Sequence, residues 1–157
     1  MKHYCICLLI LLLAACTQPV RPPEPPPTPL QRMNEVAFYA LSLADTPYRY
    51  GGSQSNSFDC SGFVQHVFLN TLGIKLPRTS IEISRVGDEV QAALLQPGDL
   101  VFFNTSAQPY SHVGIYLGEQ RFVHAPSSGK AIMVTSMQAS WWRKRYNGAR
   151  RITLPSL

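Results

Sequence analysis

The prolines of this chain are concentrated in one short segment, and this concentration limits how much of the sequence can fold. Seven of the 13 prolines lie between residues 19 and 29. Proline fixes φ and lacks a backbone N–H donor, so we expect an extended polyproline II tether over residues 16–31, with a reach of roughly 40 Å. The remaining 126 residues, from 32 to 157, predict one domain whose core needs neither disulfides nor a structural metal.

An apolar run at the start of the chain predicts export. Residues 5–15 carry no charge, and as a helix they would be about 17 Å long, too short for a hydrocarbon core of about 30 Å. A signal peptide over residues 1–15 is therefore expected. The junction Leu13-Ala14-Ala15-Cys16 resembles the lipobox of bacterial lipoprotein precursors, which implies that Cys16 is acylated. The alternative is an ordinary signal peptide that leaves Cys16 free.

The residue after Cys16 bears on the destination of such a lipoprotein. In Gram-negative lipoproteins an aspartate at this position resembles an inner-membrane retention signal, and this chain has Thr17. We therefore expect an outer-membrane lipoprotein that faces the periplasm and contacts the membrane through its lipid, with the proline tether holding the domain away from the bilayer.

The net charge of +5 comes from the end of the chain. Residues 16–129 hold seven Lys and Arg against nine Asp and Glu, whereas residues 130–157 hold six basic residues and no acidic one. Five of these basic residues are Arg143, Lys144, Arg145, Arg150 and Arg151. They form either a surface for an anionic polymer or membrane, or a solvated edge. Without finger spacing or a Gly-rich phosphate loop, nucleic-acid binding is not expected.

Hydrophobic periodicity predicts an α+β domain in which helices precede an antiparallel sheet. Apolar residues recur at helical spacing from Met33 to Ala44, and a second helix is expected between an Asp59 cap and Gly73. A short helix over residues 80–86 follows. The predicted strands are residues 100–104, 112–117, 121–125 and 131–135.

The predicted domain contains a single cysteine, Cys60. An internal disulfide is therefore excluded, and an unpaired thiol in an exported protein suggests chemical use. Because Cys60 follows Asp59 at a predicted helix start, the helix dipole favours a thiolate nucleophile, and the N–H groups of the first turn could form an oxyanion hole. We also expect Ser61 and Gly62 to let the substrate approach closely. The alternative is that Cys60 is a small buried residue.

Three histidines could serve as the base. We expect His66 to be a solvated helix residue. If residues 118–120 form a three-residue hairpin loop, His124 lies opposite Gly114 and on the same face as His112, about 7–8 Å away. The same register gathers Val113, Ile115, Leu117 and Val123 on the other face, whereas a two-residue loop would separate the histidines and split the apolar set.

This register predicts a cysteine nucleophile with a histidine base and His124 as the third, orienting group. Two alternatives remain open from the residues alone. Cys60, His112 and His124 could bind zinc, although they offer only three ligands and no short ligand pair. The two histidines could also be hydrogen-bonded core residues.

Six sequence motifs, taken in order, resemble those of the NlpC-type cell-wall cysteine peptidases. They are Tyr48-Arg49-Tyr50-Gly51-Gly52, Asp59-Cys60-Ser61-Gly62-Phe63-Val64, Leu76-Pro77-Arg78-Thr79-Ser80, Pro97-Gly98-Asp99-Leu100-Val101-Phe102-Phe103, Ser111-His112-Val113-Gly114-Ile115-Tyr116 and Phe122-Val123-His124-Ala125. The resemblance covers residues 32 to 152 and extends to the lipoprotein signal and short tether of single-domain members.

This resemblance implies a papain-like α+β fold and a peptidoglycan endopeptidase without a cofactor. The bond it implies joins γ-D-glutamate to meso-diaminopimelate in the stem peptides, and we expect a monomer. By position, Cys60 is the nucleophile, His112 the base and His124 the third member. The remaining carried-over positions are Tyr48 near the oxyanion, and Asp59 and Ser61 at substrate.

One position departs from the family pattern. Ile83 stands where the family commonly has glutamine, and this leaves the polarity of the groove and the substrate open. We interpret Tyr50, Arg78 and Asp99 as mainly structural. Two rival functions are a non-catalytic wall-binding lipoprotein and an amidase or transacylase on the same fold.

Overall fold

The computed structural model describes residues 24–54, 57–126 and 130–154. The predicted signal peptide, Cys16 and the tether before residue 24 lie outside these residues. The helices are α1 Pro29–Ser42, α2 Cys60–Leu72, α3 Ser80–Ile83 and α4 Ser140–Arg143, with a 3-10 turn at Ala92–Leu94. The strands are β1 Ser53–Gln54, β2 Ser57–Phe58, β3 Asp88–Glu89, β4 Leu100–Phe103, β5 His112–Gly118, β6 Arg121–His124, β7 Met133–Ser136 and β8 Tyr146–Arg151. None of the described helices is long and apolar enough to cross a bilayer.

Helix α1 begins inside the segment that the sequence predicts to be extended. Thr28 caps it through a capping box with Gln31, and Pro29 occupies the first turn. Proline suits this position because its fixed φ is helical and its missing N–H would have had no partner. The first helix therefore starts three residues before the predicted domain boundary at residue 32.

Helix α2 has the limits that the sequence predicts. The Asp59 carboxylate accepts a hydrogen bond of 2.7 Å from the backbone N–H of Gly62, and Gly73 ends the helix with a φ of +69°. A glycine is favoured there because a Cβ atom disfavours the left-handed region. The buried face of α2 includes Phe63, Val64, Val67 and Phe68, and this face fixes which way the helix start points.

The main sheet has six strands in the order β3-β8-β4-β5-β6-β7, and every pairing is antiparallel. Helices α1 and α2 pack against each other and against β5, which confirms the predicted α+β class. Strand β8, which lies between β3 and β4, is not among the strands predicted from the sequence. Its Gly148 and two arginines give no alternating apolar pattern, so its place in the sheet comes from tertiary pairing.

Both faces of the central strands β4, β5 and β6 are largely buried, whereas the sequence predicts one apolar face for the hairpin. Leu100 and Phe102 of β4 point to the core beneath α1 and α2. Val101 and Phe103, from the same strand, join a second cluster on the opposite face that includes Trp142. The short helix α4 thus covers the face that would otherwise be open to solvent.

One buried ion pair fastens β8 to the start of β4. Asp99 is 1% exposed and accepts two hydrogen bonds of 2.8 Å from the Arg151 guanidinium. The same carboxylate accepts a third, of 2.8 Å, from the backbone N–H of Gln96. Asp99 is therefore structural, as expected, and Arg151 belongs to the fold rather than to a free basic surface.

We predict that Asp99→Asn lowers the free energy of unfolding by about 2–4 kcal/mol, because the amide cannot accept all three bonds and the guanidinium loses its partner. The matched control is Glu119→Gln in the exposed pair between Glu119 and Arg121, which should change stability by less than about 0.5 kcal/mol. Urea unfolding of the two variants provides the comparison. Equal losses would contradict the structural role of Asp99.

Candidate active site

The hairpin of β5 and β6 places the two strand histidines on one face. Ile115 pairs with Val123 and Tyr116 with Phe122, which is the predicted register. The predicted three-residue loop is wrong, because Gly118 pairs with Arg121 across a two-residue turn whose residues have positive φ. The register shifts between Tyr116 and Gly118. This β-bulge takes up the extra residue, so a two-residue turn is compatible with both histidines on the same face.

The apolar face of this hairpin also follows the prediction. Val113, Ile115 and Val123 are buried in the core beneath the helices, and Leu117 packs against that core. The histidines consequently lie on the opposite face, with the second hydrophobic cluster.

His112 and His124 form a buried hydrogen-bonded pair. His112 Nε2 lies 2.8 Å from His124 Nδ1, and the rings are 3% and 1% exposed. Gly114 lies between them on this face, where a Cβ atom would come within 2.6 Å of the Phe122 ring and 3.2 Å of His124 Cβ. A glycine is therefore required for the rings to meet. The indole of Trp142 packs on both, with ring centroids 5.4 Å from His112 and 4.8 Å from His124.

Burial keeps both imidazoles neutral. It lowers the pKa of His112 to about 4, and it lowers the pKa of His124 further with help from the nearby His112 ring. A histidine with a lowered pKa is unprotonated at neutral pH, so His112 has a free lone pair there. Since Nε2 faces His124, Nδ1 is the nitrogen left for another partner.

Cys60 is a free, half-buried thiol in the first turn of α2. The backbone N–H groups of Val113, Ser61 and Cys60 itself lower its pKa, but burial and the Asp59 carboxylate raise the pKa by more. The expectation of a thiolate in the free protein is therefore wrong, because desolvation exceeds the effect of the helix start. Among the described residues, no hydrogen bond joins this thiol to the His112 ring.

An ion pair lies beside Cys60. Arg78 donates to both carboxylate oxygens of Asp59, at 2.6 and 3.1 Å, and to the Ser61 hydroxyl at 2.9 Å. Ser61 also donates to Asp59 at 3.2 Å. Arg78, interpreted from the sequence as structural, thus joins the two residues expected at the substrate. Its place in the Leu-Pro-Arg-Thr-Ser motif was the available signal.

Tyr48 also lies at this site. Burial and the neighbouring Cys60 and Asp59 raise its pKa, so its hydroxyl stays protonated and can donate a hydrogen bond. The backbone at Tyr48 is tied to β2, the strand just before α2, through an isolated bridge between Tyr48 and Phe58. The loop of the first motif is therefore part of the site's wall.

Gly62 has a different role from the one expected. A Cβ atom there would come within 2.0 Å of the Gly52 carbonyl oxygen. The same oxygen accepts a hydrogen bond of 3.0 Å from the backbone N–H of Asp59. Gly62 thus admits the Gly51-Gly52 backbone rather than a substrate, and this contact holds the first loop against the start of α2.

These residues surround a groove of about 580 Å³ lined by Tyr48, Tyr50, Asp59, Cys60, Ser61, Arg78, Ser111 and His112, among others. One wall is the loop between β4 and β5, which is ordered by hydrogen bonds of 2.8 and 3.0 Å from the backbone N–H groups of Thr105 and Ser106 to the Ser111 hydroxyl.

Tyr50 is 91% exposed at the groove, so its structural interpretation is wrong. The groove brings together Cys60, His112, Tyr48, Asp59 and Ser61, with His124 behind His112.

Two further expectations change. His66 is half-buried and bonded to the Tyr39 hydroxyl at 3.1 Å, rather than solvated. Ile83 is fully buried in the core and does not line the groove, so the departure from the family pattern at this position does not alter groove polarity. In the described part of the chain, no group of three or more His, Cys, Asp or Glu is placed to hold a metal ion.

Comparison with known proteins identifies one family model and several similar proteins. The family model described as NlpC/P60 family matches residues 45–151. A protein of Escherichia coli (strain K12) named Murein DD-endopeptidase MepS/Murein LD-carboxypeptidase is 45% identical over 105 residues, covering 67% of this chain and 55% of that protein. The chain thus spans about half the length of this relative.

Two other similarities cover more of this chain. The Probable endopeptidase NlpC of Escherichia coli (strain K12) is 37% identical over 159 residues, covering 96% of this chain and 99% of that protein. The crystal structure of an NlpC/P60 family protein from Bacillus cereus ATCC 10987 superposes with a TM-score of 0.73 at 31% identity, covering 82% of this chain and 42% of that one. This likeness confirms the predicted papain-like arrangement.

We predict that Cys60 in the free protein reacts with iodoacetamide more slowly at pH 7 than a small thiol does, and that its rate rises at a higher pH than the rate of the small thiol. Asp59→Asn, which keeps a capping side chain, should raise the rate at pH 8 severalfold because it removes a negative charge beside the sulfur. Mass spectrometry of the Cys60 peptide measures the rate. A rate already constant between pH 6 and 8 would contradict the raised pKa.

Proposed function

This chain belongs to the NlpC/P60 family, and from that premise we propose that it is a cysteine hydrolase that cleaves the stem peptides of peptidoglycan. One observation carries the proposal. Cys60 and His112 line the same groove, and the hydrogen bond from His112 Nε2 to His124 leaves His112 Nδ1 without a partner in that pair of histidines. A nucleophile, a neutral base and an orienting group are the parts that thiol-based acyl transfer requires.

The first half of the reaction forms a thioester. His112 Nδ1 takes the proton from Cys60 Sγ as the sulfur attacks the scissile carbonyl carbon, so the raised pKa of the thiol is overcome by a base positioned in the groove. The carbonyl oxygen becomes an oxyanion that accepts hydrogen bonds from N–H groups at the start of α2 and from the Tyr48 hydroxyl. His112 then gives its proton to the departing amine, and the C–N bond breaks.

The second half restores the free enzyme. A water molecule loses a proton to His112 Nδ1 and attacks the thioester carbonyl carbon. The C–S bond breaks, the proton returns to the sulfur, and the product leaves as a carboxylic acid that loses its remaining proton to solvent. At neutral pH the lowered pKa leaves His112 unprotonated before each attack.

We propose the bond between γ-D-glutamate and meso-diaminopimelate as the one cleaved, as the family resemblance implies. Asp59 and Arg78 place a negative and a positive charge beside Cys60, and a stem peptide carries amino and carboxylate groups that suit them. A second candidate is the cross-link between stem peptides, because the name of the 45% identical relative includes DD-endopeptidase activity.

Two rival functions lead to different expectations. A non-catalytic wall-binding protein would have no need for a neutral base whose free nitrogen is available in the groove. An amidase or transacylase would use the same thioester but would act on another bond or transfer the acyl group to an amine rather than to water. Product masses separate these possibilities.

We predict that the full-length protein in detergent releases new fragments from purified muropeptides, and that Cys60→Ala and His112→Ala each lower the rate by at least about a thousandfold. Cleavage of uncross-linked tetrapeptides between glutamate and diaminopimelate would support the proposed bond, whereas conversion of dimers to monomers would support the cross-link. Mass spectrometry identifies the products. Ser136→Ala, outside the groove, is the control and should retain activity.

Binding of muropeptides without any fragment would contradict the proposed hydrolysis and favour the wall-binding alternative. A product whose mass shows an added amine instead of water would favour the transacylase.

We also propose that the protein is an outer-membrane lipoprotein anchored through Cys16 and facing the periplasm. The lipobox-like junction and Thr17 support this localisation. The proline tether would leave the groove free to reach the wall, and a monomer suffices because every group proposed for catalysis comes from one chain.

We predict that Cys16→Ser moves the protein from the membrane fraction to the soluble fraction of cells, while muropeptide cleavage is retained. Fractionation and immunoblotting measure the distribution, with Thr17→Ser as the control that keeps the cysteine. Continued membrane association of Cys16→Ser would contradict lipid anchoring.

A further inference from the structure

Three polar side chains form a hydrogen-bonded row across three neighbouring strands. His112 on β5 meets His124 on β6 at 2.8 Å, and His124 Nε2 lies 3.0 Å from the Thr135 hydroxyl on β7. Thr135 pairs directly with Phe122, so it is the diagonal neighbour of His124 on the same face. Thr135 is not among the site residues predicted from the sequence.

The row has two possible proton arrangements. A base needs a lone pair on His112 Nδ1, which puts the ring proton on Nε2, where it is donated to His124 Nδ1. A neutral His124 then carries its own proton on Nε2 and needs an acceptor there. In the opposite arrangement every proton moves to the other nitrogen, and His112 Nδ1 holds a proton and cannot accept one from Cys60.

We propose that Thr135 is a positioning residue that stabilises the first arrangement by accepting the Nε2–H of His124. This inference rests on the proposed role of His112 as the base. Thr135 is not among the residues that line the groove. It acts through His124, which in turn fixes the tautomer and the orientation of the His112 ring.

Burial makes the acceptor necessary. His124 is almost completely enclosed, and Phe122 and Trp142 pack against its ring with centroids 4.8 Å away. An Nε2–H that lost the hydroxyl in this setting would be an unsatisfied buried donor, and such donors are disfavoured. Without Thr135, the population of the competent tautomer should therefore fall even though the fold remains.

The test compares Thr135→Val, which keeps the shape and removes the acceptor, with Thr135→Ser, which keeps the acceptor and removes a methyl group. Thr71→Val is the matched control, because it removes a half-buried hydroxyl that donates to the Val67 carbonyl on α2, away from the groove. All variants are made in the full-length protein in detergent and checked for unchanged melting temperature.

We predict that Thr135→Val lowers kcat on muropeptides about ten- to a hundredfold with KM within twofold, whereas Thr135→Ser stays within threefold of the wild type. Nitrogen-15 NMR of the histidine rings should show a protonated Nε2 on both His112 and His124 in the wild type and in Thr135→Ser. In Thr135→Val the signals should shift towards protonated Nδ1. Thr71→Val should alter neither measurement.

Wild-type kcat and unchanged tautomers in Thr135→Val would overturn the proposal. So would equal loss of kcat in the valine and serine variants with unchanged tautomers, because that pattern indicates packing alone. The NMR measurement needs no substrate. If the wild type cleaves no muropeptide, the proposed function fails, while the ring signals still decide whether Thr135 sets the tautomer.

Discussion

The register between β5 and β6 is the constraint on which the site depends. A shift of one residue would turn His124 towards the helices and bring Val123 to the histidine face. The bulge at Leu117 and the two positive-φ residues of the turn set this register, and Gly114 removes the Cβ atom that would keep the rings apart. The hydrogen bond between His112 and His124 thus depends on the backbone register of the hairpin, which brings the two rings together.

The reacting groups come from opposite sides of the sheet. Cys60 belongs to α2, which packs on one face, whereas His112 lies on the other face among aromatic rings. They meet because His112 is the first residue of β5 and because the start of α2 reaches the same strand, where the Cys60 thiol lies against the N–H of Val113. Burial where the two residues meet disfavours charge on both the Cys60 thiol and the His112 imidazole. Both groups are therefore neutral in the free protein, and they become charged only when the thiol gives its proton to the imidazole during attack.

A few backbone and carboxylate contacts also hold the rest of the groove in place. Gly62 lets the Gly52 carbonyl approach α2, and this approach holds the loop that carries Tyr48. Asp59 caps α2, binds Arg78 and raises the pKa of Cys60. One carboxylate therefore links helix stability, groove charge and nucleophile chemistry, which explains why a change at Asp59 is expected to alter reactivity without displacing Cys60.

The sequence by itself determined the α+β class, the limits of α2 and the hairpin register, because caps and hydrophobic periodicity are local signals. The order of the motifs, through the family resemblance, identified Tyr48, Asp59, Cys60, Ser61 and His112 as site residues, but not Tyr50 or Arg78. Tertiary structure alone decided what depends on burial and on contacts between distant segments. It placed β8 beside β4 through the Asp99–Arg151 pair, buried Ile83, brought Arg78 to Asp59 and set Thr135 beside His124. It also reversed the expected pKa shift of Cys60, since the desolvation of a thiol depends on atoms that no local sequence pattern identifies.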